Sequence, residues 1–138
     1  MSDTAVRILH ATVNVPLAVA YEYAHRPENF PEWAAGLSET LHRTDKGWVA
    51  STPMGDAMVT FSEPNTFGVL DHWVDVEGKP QVYIPLRMIA NGSGTVVELV
   101  LLRQPGMTDA DFDKDASAIE KDLASLKKLL EQRAVSCL

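Results

Sequence analysis

The chain has 138 residues, 46% of them hydrophobic and 22% charged, the composition and length of one globular domain able to bury roughly two thirds of its surface, which excludes intrinsic disorder. Twelve Lys and Arg against nineteen Asp and Glu leave a formal charge of −7, which repels a phosphate backbone and argues against nucleic acid as a partner. The single cysteine, Cys137, excludes an intrachain disulfide and a multi-cysteine metal site, in keeping with a reducing compartment.

At the N-terminus, Met1 to Thr4 lacks the basic and then apolar pattern of a signal peptide, and no apolar run approaches the about 20 residues that span a bilayer. A cytoplasmic protein with no membrane insertion is expected. Val6 to Val15 has the β-branched content of a strand, which Pro16 ends. Leu17 to His25 places Ala20, Tyr23 and Ala24 at helical spacing. Pro27 and Pro31 bound a second short helical piece that carries Phe30 and Trp33 and closes at Gly36. Short alternating runs follow at Leu37 to Arg43, Trp48 to Thr52 and Gly55 to Ser62. Gly68 to Val76 is a further strand, and Val82 to Ala90 with Thr95 to Arg103 makes a last hairpin around Asn91–Gly94. Pro85, inside that hairpin, demands a bulge or an unpaired position.

The final element is the clearest. Thr108 and Asp111 have the spacing of a capping box, and Phe112, Ala116, Ile119, Leu123, Leu126 and Leu130 form one apolar stripe. A helix from Asp109 to Glu131, roughly 35 Å long, can lie across a sheet roughly 30 Å wide. Residues 1–5 and 133–138 are expected to fray around this single domain of residues 1–138.

Alternation sorts the strand faces. With Asn91 opposite Gly94, the face of Leu86, Met88, Thr95, Val97, Leu99 and Leu101 is the core, and Arg87 faces Glu98 as an exposed ion pair. In the preceding strand Leu70, His72, Val74 and Val76 point inward, while Val69, Asp71, Trp73 and Asp75 face water. His72 is thereby an inward imidazole among apolar neighbours. It is either a core histidine satisfied by a backbone carbonyl or water, or a group that binds a ligand or moves a proton.

The order of elements, with Val15-Pro16 before the first helix, Pro27-Glu28-Asn29-Phe30-Pro31-Glu32-Trp33 in the second, Val69-Leu70-Asp71-His72 opening a middle strand and Arg103-Gln104-Pro105-Gly106-Met107 leading into the last helix, resembles the START-like (SRPBCC) superfamily. The similarity spans nearly the whole chain and is greatest to the bacterial polyketide cyclase/dehydrase-like branch. It implies an α+β helix-grip (Bet v 1-like) fold: a curved antiparallel seven-stranded sheet wrapped on a long C-terminal helix, with two short helices after the first strand. It also implies an apolar cavity that opens near the short helices.

Chemistry-bearing motifs are few. His10, His25, His42 and His72 are scattered outside any ligand-pair spacing, so neither metal nor cofactor is expected. There is no nucleophile elbow, and Asn91–Gly94 is a hairpin turn, not a phosphate loop. What remains is a pocket, for which Phe30, Trp33, Met54, Met58, His72, Leu86, Met88, Leu99, Leu101 and Phe112 are the candidate lining, each with plain core packing as its alternative. The expected function is binding of a small hydrophobic molecule, a lipid, polyketide or aromatic metabolite. The alternative is a polyketide cyclase or dehydratase with His72 as general base and Tyr23 as hydrogen-bond donor. Arg87 and Glu98 would replace them only if the hairpin register slipped by one. A third reading is a homodimer through Trp73 and Tyr83 on the outer sheet face.

Overall fold

The computed structural model describes residues 4–34 and 40–136, with side chains up to Arg133. Gly36, the Leu37 start of the expected second strand, and Cys137 lie outside the described residues. The elements run β1 (Val6–Val13), α1 (Leu17–Ala24), a 3₁₀ helix (Pro27–Glu32), β2 (His42–Thr44), β3 (Gly47–Thr52), β4 (Gly55–Phe61), β5 (His72–Val76), β6 (Val82–Ile84), β7 (Leu86–Asn91), β8 (Gly94–Leu102) and α2 (Asp109–Ser136). Helix α2 continues past the expected end at Glu131. At the other terminus Thr4 and Ala5 are tied to Arg103 by hydrogen bonds of 2.8 and 3.0 Å.

The strands do not form the expected single seven-stranded sheet. They form a five-stranded antiparallel sheet, β2-β3-β4-β5-β6, and a three-stranded one, β1-β8-β7. The reason lies at Pro85, which has no N–H for a ladder and separates β6 from β7. The segment Gly68–Leu70 pairs with β7, through Met88 N to Gly68 O and Leu70 N to Leu86 O, both 2.8 Å. Two residues on, His72 pairs with Ile84 of β6. One extended stretch thus borders both sheets and changes from one to the other at Asp71, opposite the proline.

Gly68 makes this crossing possible. Its φ is +72°, and a Cβ there would lie 2.1 Å from the Met88 carbonyl oxygen, a position open only to a residue without a side chain.

The last hairpin has the expected register, Asn91 opposite Gly94 and Arg87 opposite Glu98. Leu86, Met88, Thr95, Val97 and Leu99 are buried, as alternation requires. The capping box closes reciprocally: Asp111 N donates to Thr108 Oγ1 at 3.1 Å and Thr108 N to Asp111 Oδ2 at 3.3 Å. Along α2, Phe112, Ala116, Leu123, Leu126 and Leu130 are buried, whereas Ile119 is only half-buried. Lys127 Nζ donates to Thr12 O at 2.7 Å and Asn14 N to Glu131 Oε2 at 2.8 Å, fastening α2 to the end of β1. The main core joins α1, the three-stranded sheet and the C-terminal half of α2, with Val15, Ala20, Met88, Val97, Leu126 and Leu130 at its centre.

Two outward groups depart from expectation. Asp71, assigned to water, is only 5% exposed. Arg87 turns away from Glu98: its Nε and Nη2 donate to the two Asp71 carboxylate oxygens at 2.9 and 2.8 Å. The expected Arg87–Glu98 ion pair is therefore replaced by a bidentate Arg87–Asp71 pair, which is geometrically stronger and less hydrated.

Candidate ligand cavity

A cavity of about 330 Å³ is walled by the 3₁₀ helix, β4, β5, β6, β8 and the first half of α2. Its surface is chiefly apolar, with Val59, Val74, Ile84, Leu99, Leu101 and Ile119 among its walls. Ile119, half-buried in the middle of a buried stripe, packs against the main core and also borders this cavity.

Of the sequence-derived candidates, Phe30, Trp33, His72, Leu86, Leu99 and Leu101 come together on this cavity. Met54, Met58, Met88, Phe112 and Tyr23 do not border it. Met54 is 63% exposed in the β3–β4 turn, and Met58 lies on the opposite face of β4 from the buried Ala57 and Val59. Met88 is in the main core. Phe112 is buried with the guanidinium carbons of Arg7 and Arg103 at 4.8 and 5.7 Å from its ring centroid. An apolar side chain shows only that a residue avoids water, not which of two enclosed spaces it faces.

Tyr23 packs in the main core on α1, with Arg133 4.5 Å from its ring centroid. Its hydroxyl is buried, with no hydrogen-bond partner within 3.5 Å among the described residues. Burial, reinforced by the nearby Glu32 charge, pushes its pKa up to about 12.

One end of the cavity is aromatic. Phe30 stands edge-on to Trp33, His72 and Phe61, with centroid distances of 4.8, 5.2 and 5.4 Å. The 3₁₀ helix that carries Phe30 is held in place by this cluster and by Asn29 Nδ2, which donates to the Tyr23 carbonyl at 3.0 Å. The same three residues, Phe30, Trp33 and His72, border a second space of about 20 Å³, room for about one water.

His72 is 5% exposed, and its Nδ1 lies 3.1 Å from the Leu70 carbonyl oxygen. A carbonyl only accepts, so Nδ1 carries the proton and the neutral ring has its lone pair on Nε2. Burial lowers the His72 pKa against the opposing effects of the Leu70 hydrogen bond and the Asp71 charge, keeping the ring neutral. The Asp71 carboxylate is engaged elsewhere, with Arg87, the Leu86 N–H at 2.9 Å and the Tyr83 hydroxyl at 2.6 Å. It does not serve as the orienting carboxylate of a catalytic dyad.

The Leu70 carbonyl thus satisfies one ring nitrogen of His72, at a position that also borders the cavity. Trp33 is also 5% exposed, and its indole Nε1 is buried with no hydrogen-bond partner among the described residues.

Several wall residues were not foreseen. Tyr83, Val100 and Leu102 alternate toward the outer face, yet border the cavity. The last hydrogen bond across this part of the sheet is Val100 N to Pro85 O, 3.1 Å, and no ladder joins β6 to β8. The two strands part beyond it, and the cavity reaches their separated edges. The signal for this was Pro85. Gln104, Met107, Asp115 and Asp122 complete the wall; the two acids flank Ile119 at helical spacing, a pattern legible only once that face of α2 is known to line a space. Burial and the Asp111 charge raise the Asp115 pKa, against Lys114. Neither Lys nor Arg lines the cavity among the described residues.

No three His, Cys, Asp or Glu side chains form a metal-binding group among the described residues. None of the described helices is long and apolar enough to cross a membrane.

No protein-family model matches the chain, and no curated protein matches it either. Solved structures do. An uncharacterised protein from Bacillus thuringiensis superposes with a TM-score of 0.72 at 10% identity, over 91% of this chain and 98% of that one. Ara h 8.0201 superposes with a TM-score of 0.64 at 9% identity, over 92% and 97%. DynU16, a protein of the dynemicin biosynthetic locus, does so with a TM-score of 0.67 at 13% identity, over 91% of this chain and 47% of that one. The fold is Bet v 1-like. At these identities a helix-grip likeness speaks for architecture and leaves function to the site.

Proposed function

We propose that this helix-grip domain binds a small hydrophobic molecule, of the lipid, polyketide or aromatic metabolite kind, in the cavity between its sheets and α2. The observation that supports this is the partly open space of about 330 Å³ with predominantly apolar walls, the usual character of small-molecule sites. Native mass spectrometry of freshly purified protein tests it. A discrete adduct that disappears on denaturation is expected. A clean apo mass, together with no uptake of a neutral naphthalene probe, would overturn the reading.

A second reading, a cyclase or dehydratase with His72 as general base, has one observation in its favour: a neutral imidazole with an unprotonated Nε2 borders the cavity. Tyr23, the donor first paired with it, is not on that wall. His72→Ala separates the two readings. Ligand affinity retained with turnover abolished supports catalysis, and affinity retained with no turnover in either protein supports a binder. A third reading, a homodimer through the face of Trp73 and Tyr83, draws on the exposure of Val6, Ile8 and Tyr83, at 51%, 61% and 36%. Sedimentation that stays monomeric at high concentration would remove it.

A further inference from the structure

We propose that Nε2 of His72 is the polar contact that orients the ligand, and that the ligand is a neutral molecule with a flat, unsaturated body whose phenolic or enolic hydroxyl donates to it. This deepens the cavity-binding reading and rests on it. Nδ1 commits the ring's one proton to the Leu70 carbonyl at 3.1 Å, so Nε2 can only accept. Among the described residues no group donates to it. The described polar side-chain atoms that are both unpaired and sealed from open space are the Tyr23 hydroxyl and the Trp33 Nε1. Nε2 is unpaired but not among those sealed atoms. Its direction follows from the ring. Leu70, to which Nδ1 points, borders the space of about 20 Å³ and not the large cavity, whereas His72 borders both. The ring edge opposite Nδ1 is Nε2–Cδ2, and that edge is the one turned to the large cavity.

The choice of a neutral hydroxyl follows from the rest of the wall. Its side-chain donors are engaged or sealed: the Tyr83 hydroxyl donates to Asp71 at 2.6 Å, Gln104 Nε2 to the Leu102 carbonyl at 2.9 Å, and the Trp33 Nε1 is buried. Asp115 and Asp122 line the cavity, with no Lys or Arg among the described residues, and positions 1–3, 35–39 and 134–138 carry neither. A carboxylate or phosphate would enter against like charge with no cation to meet it. An ammonium group at His72 would be buried among Phe30, Phe61 and Trp33 with the adjacent Asp71 carboxylate already held by Arg87. A phenol or enol gives one hydrogen bond and brings no charge, and its flat body suits the edge-on rings of Phe30 and His72.

Three naphthalene probes test this: 2-naphthol, 2-methylnaphthalene and 2-naphthoate, titrated into ¹⁵N-labelled wild-type protein and His72→Phe. In long-range ¹H–¹⁵N spectra of the wild type, bound naphthol is expected to move the His72 Nε2 resonance toward that of a protonated nitrogen. Methylnaphthalene, equal in size and unable to donate, should not move it in that direction, and naphthoate should bind most weakly. Comparing proteins cancels the different hydrophobicities of the probes, so the naphthol-to-methylnaphthalene affinity ratio should fall about fivefold in His72→Phe, the worth of about one net hydrogen bond. Methylnaphthalene itself should bind both proteins. An unchanged ratio, or an Nε2 resonance unmoved by bound naphthol, overturns the role of His72 and leaves the cavity reading standing. Tightest binding by naphthoate overturns the neutral-ligand class. Failure of all three to bind overturns the cavity reading itself. Should His72→Phe not fold, the wild-type Nε2 shift decides alone.

Discussion

Asp71 and Arg87 form a bidentate ion pair across the point where the five-stranded sheet gives way to the three-stranded one, with contacts of 2.9 and 2.8 Å. The same carboxylate accepts the Leu86 N–H, the first amide after the proline that breaks the strand. One acidic side chain thus supplies the pairing that the ladder lacks at this corner. The arrangement holds the edges of β6 and β7 in place, and with them the wall of the cavity.

Removing the guanidinium should expose the cost of the buried acid. Arg87→Ala is expected to destabilise the fold by about 2 kcal/mol, less than for a fully buried pair because the Arg87 side chain is 46% exposed. Burial alone would raise the Asp71 pKa, but the hydrogen bonds of Arg87, Tyr83 and Leu86 and the Arg87 charge outweigh it and hold it at about 2. This folded value lies below the unfolded one near 3.9. The associated stability is present above about pH 4 and is lost as the pH falls toward 2. Denaturant midpoints measured between pH 5 and 2 should decline in the wild type and decline less in Asp71→Asn.

His72 predicts a second, separate limb. Its pKa is lowered by burial, so the unfolded chain binds the proton more readily, and stability is complete above about pH 6.5 and falls as the pH drops below it. Chemical denaturation at pH 7.5 and 5.5 should show a loss in the wild type. His72→Phe, which keeps a ring in place, should lessen that difference; an unaltered slope would mean that another group titrates.

Gly68→Ala should be severely destabilising, by more than about 2 kcal/mol, since the substitution combines a positive φ with a 2.1 Å approach to a backbone oxygen. Thermal unfolding checks this directly, and a Tm within a degree of wild type would contradict the close approach.

Thr108→Ala removes one half of the reciprocal cap at the start of α2. A loss of about 1 kcal/mol is expected by denaturant titration, with ligand affinity unchanged because Thr108 does not border the cavity.

Much of this molecule is written locally. The two-residue alternation of β8 buries Thr95, Val97 and Leu99 wherever the strand is placed, and the Asn91–Gly94 turn sets the hairpin register. The Thr108 cap and the stripe from Phe112 to Leu130 likewise depend on neighbours within a few positions, so the sequence by itself determined α2 and its buried face. It also turned His72 inward, and Pro85 announced a break. Tertiary structure alone decided that the break divides the sheet in two, that Asp71 is buried against an arginine 16 residues away, and that Tyr83, Val100 and Asp115 border a cavity while Met54, Met88 and Phe112 do not. The physical reason is that alternation and capping are properties of a single segment. A cavity is the space left between several segments, and a buried charge is tolerable only once a distant partner has been brought to it.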